Sequence, residues 1–214
     1  MKNRRLRILT YLLALAGILL AAILYPSLPE QIPTHWNTDG SVTYGSRNTI
    51  FFTAGMGLLF AVLFDILPKI DPRRNNYEKF SSFYDLFCVL MELFMLMING
   101  IMIVETLHPG TLSVPMAIML SIGILFVIIG NFMPKFKSNF YMGIKTPWTL
   151  SSDEVWRKTH RLGGRCFFLS GLLFIICAFL PDSAVQLCVI VILIACFIPG
   201  LMSWIWWRQE QKTP

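Results

Sequence analysis

Charge is what this sequence has least of. Lysine, arginine, aspartate and glutamate together make up 14% of its 214 residues, against about a quarter in a soluble domain. Too few polar groups remain to cover a water-facing surface, which excludes an ordinary soluble globular protein. Catalytic signatures are missing as well. No HExxH, GxSxG, P-loop or glycine-rich dinucleotide fingerprint occurs, so nothing points to a zinc peptidase, a serine hydrolase or a nucleotide-binding enzyme. The expectation is a chain that is not an enzyme and needs no cofactor. The cysteines Cys88, Cys166, Cys177, Cys188 and Cys196 form no CxxC pair and fall in or beside apolar runs. They read as small buried apolar residues rather than disulfides or zinc ligands. Linkers rich in Gly and Ser, blocks of charge and low-complexity stretches are also lacking, so a single polytopic domain over 1–214 is expected.

What is present is apolar sequence, 55% of the chain, gathered into long continuous blocks. A bilayer core of about 30 Å asks for roughly 20 such residues per helix. Lipid cannot hydrogen-bond a backbone, so each block must be a helix or part of a closed barrel, and the blocks do not alternate as barrel strands do. Spans are expected at 8–25, 49–67, 80–104, 112–133, 162–180 and 184–207. The fold class is therefore an all-α integral membrane protein with about six transmembrane helices. The first span follows a basic stretch, as a signal peptide would. It is too long for a signal core and has no clear cleavage site, so it is read as retained.

Basic residues set the orientation. With the N-terminus inside, seventeen of the eighteen lysines and arginines lie in cytoplasmic segments and only Arg47 lies outside. Such a bias in the loops fixes topology, placing both termini in the cytoplasm of a multi-pass protein of the bacterial cytoplasmic membrane. The net charge of +6 is then an orientation signal and not a nucleic-acid patch. Membrane lipids are partners on this reading, and direct nucleic-acid binding is not expected.

Two connections exceed a tight turn. The external loop 26–48, inside a first hairpin of spans over 8–66, carries three prolines, two glycines and an Asp39-Gly40 step, and is expected to be an ordered turn-rich loop. The cytoplasmic segment 134–161 contains Ser151-Ser152-Asp153-Glu154, which predicts a capping box from Ser151 to Glu154. The basic, Trp156-containing helix that follows is expected to lie as an amphipathic segment on the anionic inner leaflet. The alternative is that it runs on into the fifth span, broken or kinked at Gly163-Gly164.

Three polar residues of the third span, Asp85, Glu92 and Asn99, are spaced by seven and share one helix face. They read as a stripe lining a cavity or proton path, or as side chains hydrogen-bonded to neighbouring helices. No basic residue lies mid-span beside Glu92, so it is expected protonated or water-linked. Outside, His35 with Glu30 and Asp39, joined by Glu105 and His108, are the available metal donors. Their spacing matches no metal motif, and no metal is expected.

Two motifs resemble the SdpI family of bacterial membrane immunity and signalling proteins. The first is Leu28-Pro29-x-x-Ile32-Pro33-x-His35-Trp36-Asn37 with Gly40 and Tyr44-Gly45-Ser46, similar to the small domain of unknown function at the front of that family. The second lies in the C-terminal part, 112–207. It comprises Gly130-Asn131-x-Met133-Pro134, Asn139, Gly143-Ile144-Lys145-Thr146-Pro147-Trp148-Thr149-Leu150 and Val155-Trp156-Arg157-Lys158-Thr159-His160-Arg161. Lys145 stands where arginine is more usual in the family, keeping the charge and giving up the bidentate geometry. The resemblance implies protection of the cell from a secreted antimicrobial peptide, with a cytoplasmic transcriptional repressor as a partner. It makes His35, Trp36, Asn37, Gly40 and Tyr44 candidates for binding the toxin. The cytoplasmic candidates are Asn131, Pro134, Asn139, Gly143, Lys145, Thr146, Pro147, Trp148, Trp156 and His160, and for these a site and an internal scaffold are equally open.

Overall fold

The computed structural model describes residues 3–37, 41–180 and 184–212. In chain order the elements are α1 (Arg4–Leu24), β1 (Gln31–Trp36), β2 (Val42–Ser46), α2 (Thr49–Ile70), α3 (Ser81–Leu107), α4 (Val114–Phe132), α5 (Pro147–Ser151), α6 (Asp153–Cys177) and α7 (Ala184–Glu210). Six of the described helices, all but the short α5, are long and apolar enough to cross a membrane. They fall on the six expected spans. The starts of α1, α3 and α6 meet the ends of α2, α4 and α7 on one side, called here the termini side. The Arg7–Asp65 ion pair at 2.6 Å and the hydrogen bond from Ser152 to Glu210 at 3.1 Å mark it.

Without a hydrophobic drive between helices in lipid, close association needs small residues that let backbones approach. α1 and α2 carry the same spacing of them, Ala14, Gly17, Ala21 and Ala54, Gly57, Ala61, all buried where these helices meet α3. A second group forms from α4, α6 and α7. There Gly130 faces Gly164 and Gly123 faces Gly171. A methyl group on Gly164 would sit 2.6 Å from the Gly130 carbonyl oxygen, and one on Gly171 would sit 2.6 Å from that of Gly123. The contact of α3 with α4 joins the two groups.

In the 26–48 connection the described residues form a two-stranded antiparallel hairpin rather than a string of turns. The pairing runs from Gln31 opposite Ser46 to Trp36 opposite Val42, with an irregularity between Pro33 and His35 where the ladder shifts by one residue. Proline lacks the N–H a regular ladder needs, and a bulge is where a strand tolerates it. Leu28 and Ile32 drop into an apolar cluster with Ala21, Ile50, Met102 and Ile103, which seats the hairpin on the ends of α1, α2 and α3.

The 151–161 stretch departs from the favoured expectation. Its residues 153–161 are no separate interfacial helix but the first two and a half turns of α6, which continues unbroken through Gly163 and Gly164. The cap is Ser152, whose hydroxyl accepts from the Val155 N–H at 3.2 Å, in place of Ser151. Glu154 pairs with Arg157 instead of reaching back. The stretch is amphipathic as expected, but Val155, Trp156, Thr159 and His160 bury their face against this chain and not against lipid. Tertiary packing outweighs the weak helix propensity of the two glycines. Gly163 lies under Ile144 and Met133, and Gly164 under Pro134.

Candidate functional site

On the termini side the loop 136–146 is tied into a polar knot by residues of both helix groups. Asn139 is fully buried and uses its whole amide. Its nitrogen donates to the carbonyls of Lys137 and Met142, while its oxygen accepts from the Tyr141 and Met142 N–H groups and lies 3.2 Å from the Tyr77 hydroxyl. Asp71, 2% exposed, accepts from Tyr77 at 2.9 Å, from the Phe140 N–H at 2.9 Å and from the Arg73 N–H at 2.7 Å. The Arg73 guanidinium donates to the Leu150 carbonyl at 2.5 Å and to the Ser138 hydroxyl. A buried polar group left alone costs about 1–3 kcal/mol, and this network leaves few alone.

His160 completes the knot from α6. Its Nδ1 lies 2.9 Å from the Trp156 carbonyl oxygen, and its Nε2 accepts from the Ile144 N–H at 3.1 Å. An Nε2 that accepts carries no proton, so the ring is neutral with its proton on Nδ1. The imidazole stacks on Trp156 at 3.9 Å, and the Trp156 indole donates to the Phe136 carbonyl at 2.9 Å. Gly143 reaches the ring edge with φ +102°, and a methyl group there would fall 2.1 Å from Nε2. Thr146 caps α5, which Pro147 opens, in a reciprocal box with Thr149 and meets the Ser203 hydroxyl of α7 at 2.9 Å. Trp148 lies with Thr146 beside Gly200 and Trp204 of α7. Lys145 is exposed and donates to the Tyr141 carbonyl. Asn131 and Pro134 stand apart, on the α4 side of α6.

The hairpin offers a different surface. His35, Asn37 and Tyr44 are exposed, while Trp36 is half-buried against the apolar cluster. Asn37 is held by Ser41, whose carbonyl accepts from its N–H at 2.8 Å and whose hydroxyl accepts from its amide at 2.9 Å. Gly40 and Asp39 lie outside the described residues. Glu105 accepts from the Gly110 N–H within its own turn, next to the exposed His108. Among the described residues no three His, Cys, Asp or Glu side chains come together as a metal site would require.

The Asp85, Glu92 and Asn99 stripe is buried throughout, each residue 1% exposed, and faces α1 and α2. Asp85 accepts from the Asn3 N–H at 2.7 Å, and Asn99 reaches the Gly17 carbonyl at 3.4 Å. Neither carboxyl oxygen of Glu92 has a hydrogen-bond partner among the described residues, and one lies close under Gly57. Two further acids matter that sequence reasoning missed. Asp65 in α2 holds Arg7 and accepts from the Tyr11 hydroxyl at 2.8 Å. The rule applied to Glu92, that an acid inside a span asks for an explanation, applies equally to it. The signal for Asp71 is its Asp-Pro step among lysines and arginines.

The two halves of this geometry correspond to two families. Residues 135–203 match the SdpI/YfhL protein family, and residues 12–58 match a domain of unknown function, DUF1648. The Immunity protein SdpI of Bacillus subtilis (strain 168) is 26% identical over 204 residues, covering 94% of this chain and 96% of that protein. The chain is thus similar to the SdpI/YfhL family over residues 135–203 and to this immunity protein over nearly its whole length. No solved structure matches it. The stretch matching SdpI/YfhL takes in the loop of the polar knot, α5, α6 and α7 as far as Ser203, the partner of Thr146. Asp71, Arg73 and Tyr77 clamp that stretch from outside it. The other match contains the whole hairpin.

Proposed function

We propose that this chain is a membrane immunity protein that protects a bacterial cell from a secreted toxic peptide, working in the cytoplasmic membrane with both termini inside. Its similarity to Immunity protein SdpI through 96% of that protein's length carries the reading. The orientation is supported by the sixteen described basic residues on the termini side against Arg47 alone on the other. The hairpin is then the outer surface, where His35, Trp36 and Tyr44 meet an amphipathic peptide. The sheet has two strands among the described residues, so both are edge strands, to which an extended segment can add. Inside, the exposed Lys135, Lys137 and Lys145 flank the polar knot and are where a transcriptional repressor would be held.

The test is growth of a toxin-sensitive bacillus that lacks its own immunity gene, expressing the chain or a hairpin variant. The chain restores growth, and His35→Ala or Trp36→Ala lose most of the protection at normal protein level. Full protection by both variants removes the hairpin from the mechanism. A second reading, a small transporter or channel, has one observation behind it: the buried Glu92 carboxyl, without a hydrogen-bond partner among the described residues. It requires flux in liposomes that Glu92→Gln alters, and identical flux in the variant sinks it.

A further inference from the structure

On the outer face of α6, Arg157, Arg161 and Arg165 recur at every fourth residue and so project from one side, one above the other. The same stripe continues toward the far side of the membrane as Leu169, Leu172 and Ile176, which are 64%, 39% and 60% exposed. Across from the arginines stand Asn131 and Pro134 of the α4 end, and the three arginines, Asn131, Pro134 and Leu169 border a groove of about 550 Å³. The groove exists because its floor is glycine. Gly130 and Gly164 bring α4 and α6 so close that a methyl group on Gly130 would lie 2.5 Å from the Phe168 nitrogen.

The charges are unequally used. Arg157 is bound to Glu154 at 2.6 Å. Arg161 and Arg165 are exposed and make no ion pair or hydrogen bond among the described residues. Two uncompensated guanidiniums, about 6 Å apart along the axis at 1.5 Å per residue, therefore cap one end of an exposed apolar stripe. Their planar forks suit phosphate oxygens, and basic pockets between helices are a recurrent form of lipid headgroup recognition.

We propose that the groove between α4 and α6 binds one anionic phospholipid, its phosphate on Arg161 and Arg165 and an acyl chain along Leu169, Leu172 and Ile176. A free phosphate answers the arginines and leaves the apolar stripe bare. A zwitterionic lipid covers the stripe but brings its own cation to the arginines. Only a lipid with net negative charge meets both.

The test uses the full chain in a non-ionic detergent, titrated with phosphatidylglycerol or phosphatidylcholine of the same acyl chains and read by native mass spectrometry. One phosphatidylglycerol is retained in preference to phosphatidylcholine, and excess inorganic phosphate does not displace it. The variant R161Q/R165Q loses about 30-fold in affinity, the effect of removing two surface charges. The control K69Q/K212Q, which changes two exposed lysines on the same side, binds as the wild type does. Equal retention of both lipids, displacement by phosphate, or equal loss in the control overturns the proposal. The comparison of lipids on the unaltered chain keeps the proposal falsifiable even where a variant fails to fold.

Discussion

At the scale of single residues, the termini-side motif behaves as internal wiring. Asn139, Trp156, His160 and Thr149 spend their polar atoms on this chain's own backbone. The sequence singles out most of these residues but leaves site and scaffold level, because a motif names residues and not their partners. The Ile144 N–H that engages His160 is sixteen residues away, and the Tyr77 hydroxyl that reaches Asn139 is sixty-two away. Gly143 tests the wiring most sharply. With φ at +102° and the imidazole against it, Gly143→Ala meets both backbone strain and a clash. A cost of about 2 kcal/mol or more is expected from mechanisms of this kind. A thermal melt in detergent checks it: Gly143→Ala melts well below wild type, while Gly55→Ala, which has open space around it, does not.

At the scale of elements, the helices are legible in the sequence and the hairpin is not. Runs of about 20 apolar residues admit one answer in lipid. Strands of five and six residues rich in proline, glycine and polar side chains carry the same composition as a chain of turns, so order is readable there and pairing is not. The start of α6 shows the opposite failure. Its basic, amphipathic turns suit a bilayer surface, and only the position of Ile144 and Pro134 over Gly163 and Gly164 reveals that protein covers them. The α4–α6 seam yields its own prediction. Gly171→Ala places a methyl group against the Gly123 carbonyl and the Val127 nitrogen and costs about 1–3 kcal/mol of overpacking. Gly100→Ala in α3 meets nothing within 4 Å and should hold or raise stability, by up to about 1 kcal/mol from helix propensity. Melting both variants side by side decides whether the seam is as tight as described.

At the scale of the whole molecule, two helix groups are joined at the α3–α4 contact and clamped by Asp71, Arg73 and Tyr77, with the hairpin on one side and the polar knot on the other. The proposed orientation makes a direct prediction. A cysteine introduced as Ser41→Cys reacts with a membrane-impermeant thiol reagent in intact cells, and one introduced as Lys212→Cys reacts only after lysis. The reverse pattern turns the molecule over and moves the proposed peptide surface to the wrong side. The central claim, immunity, is tested most directly by following membrane potential in a sensitive bacillus without its own immunity gene after the toxic peptide is added. Cells expressing the chain are predicted to hold their potential while vector controls depolarise. Depolarisation at the vector's rate, with the chain well expressed in the membrane, contradicts the account.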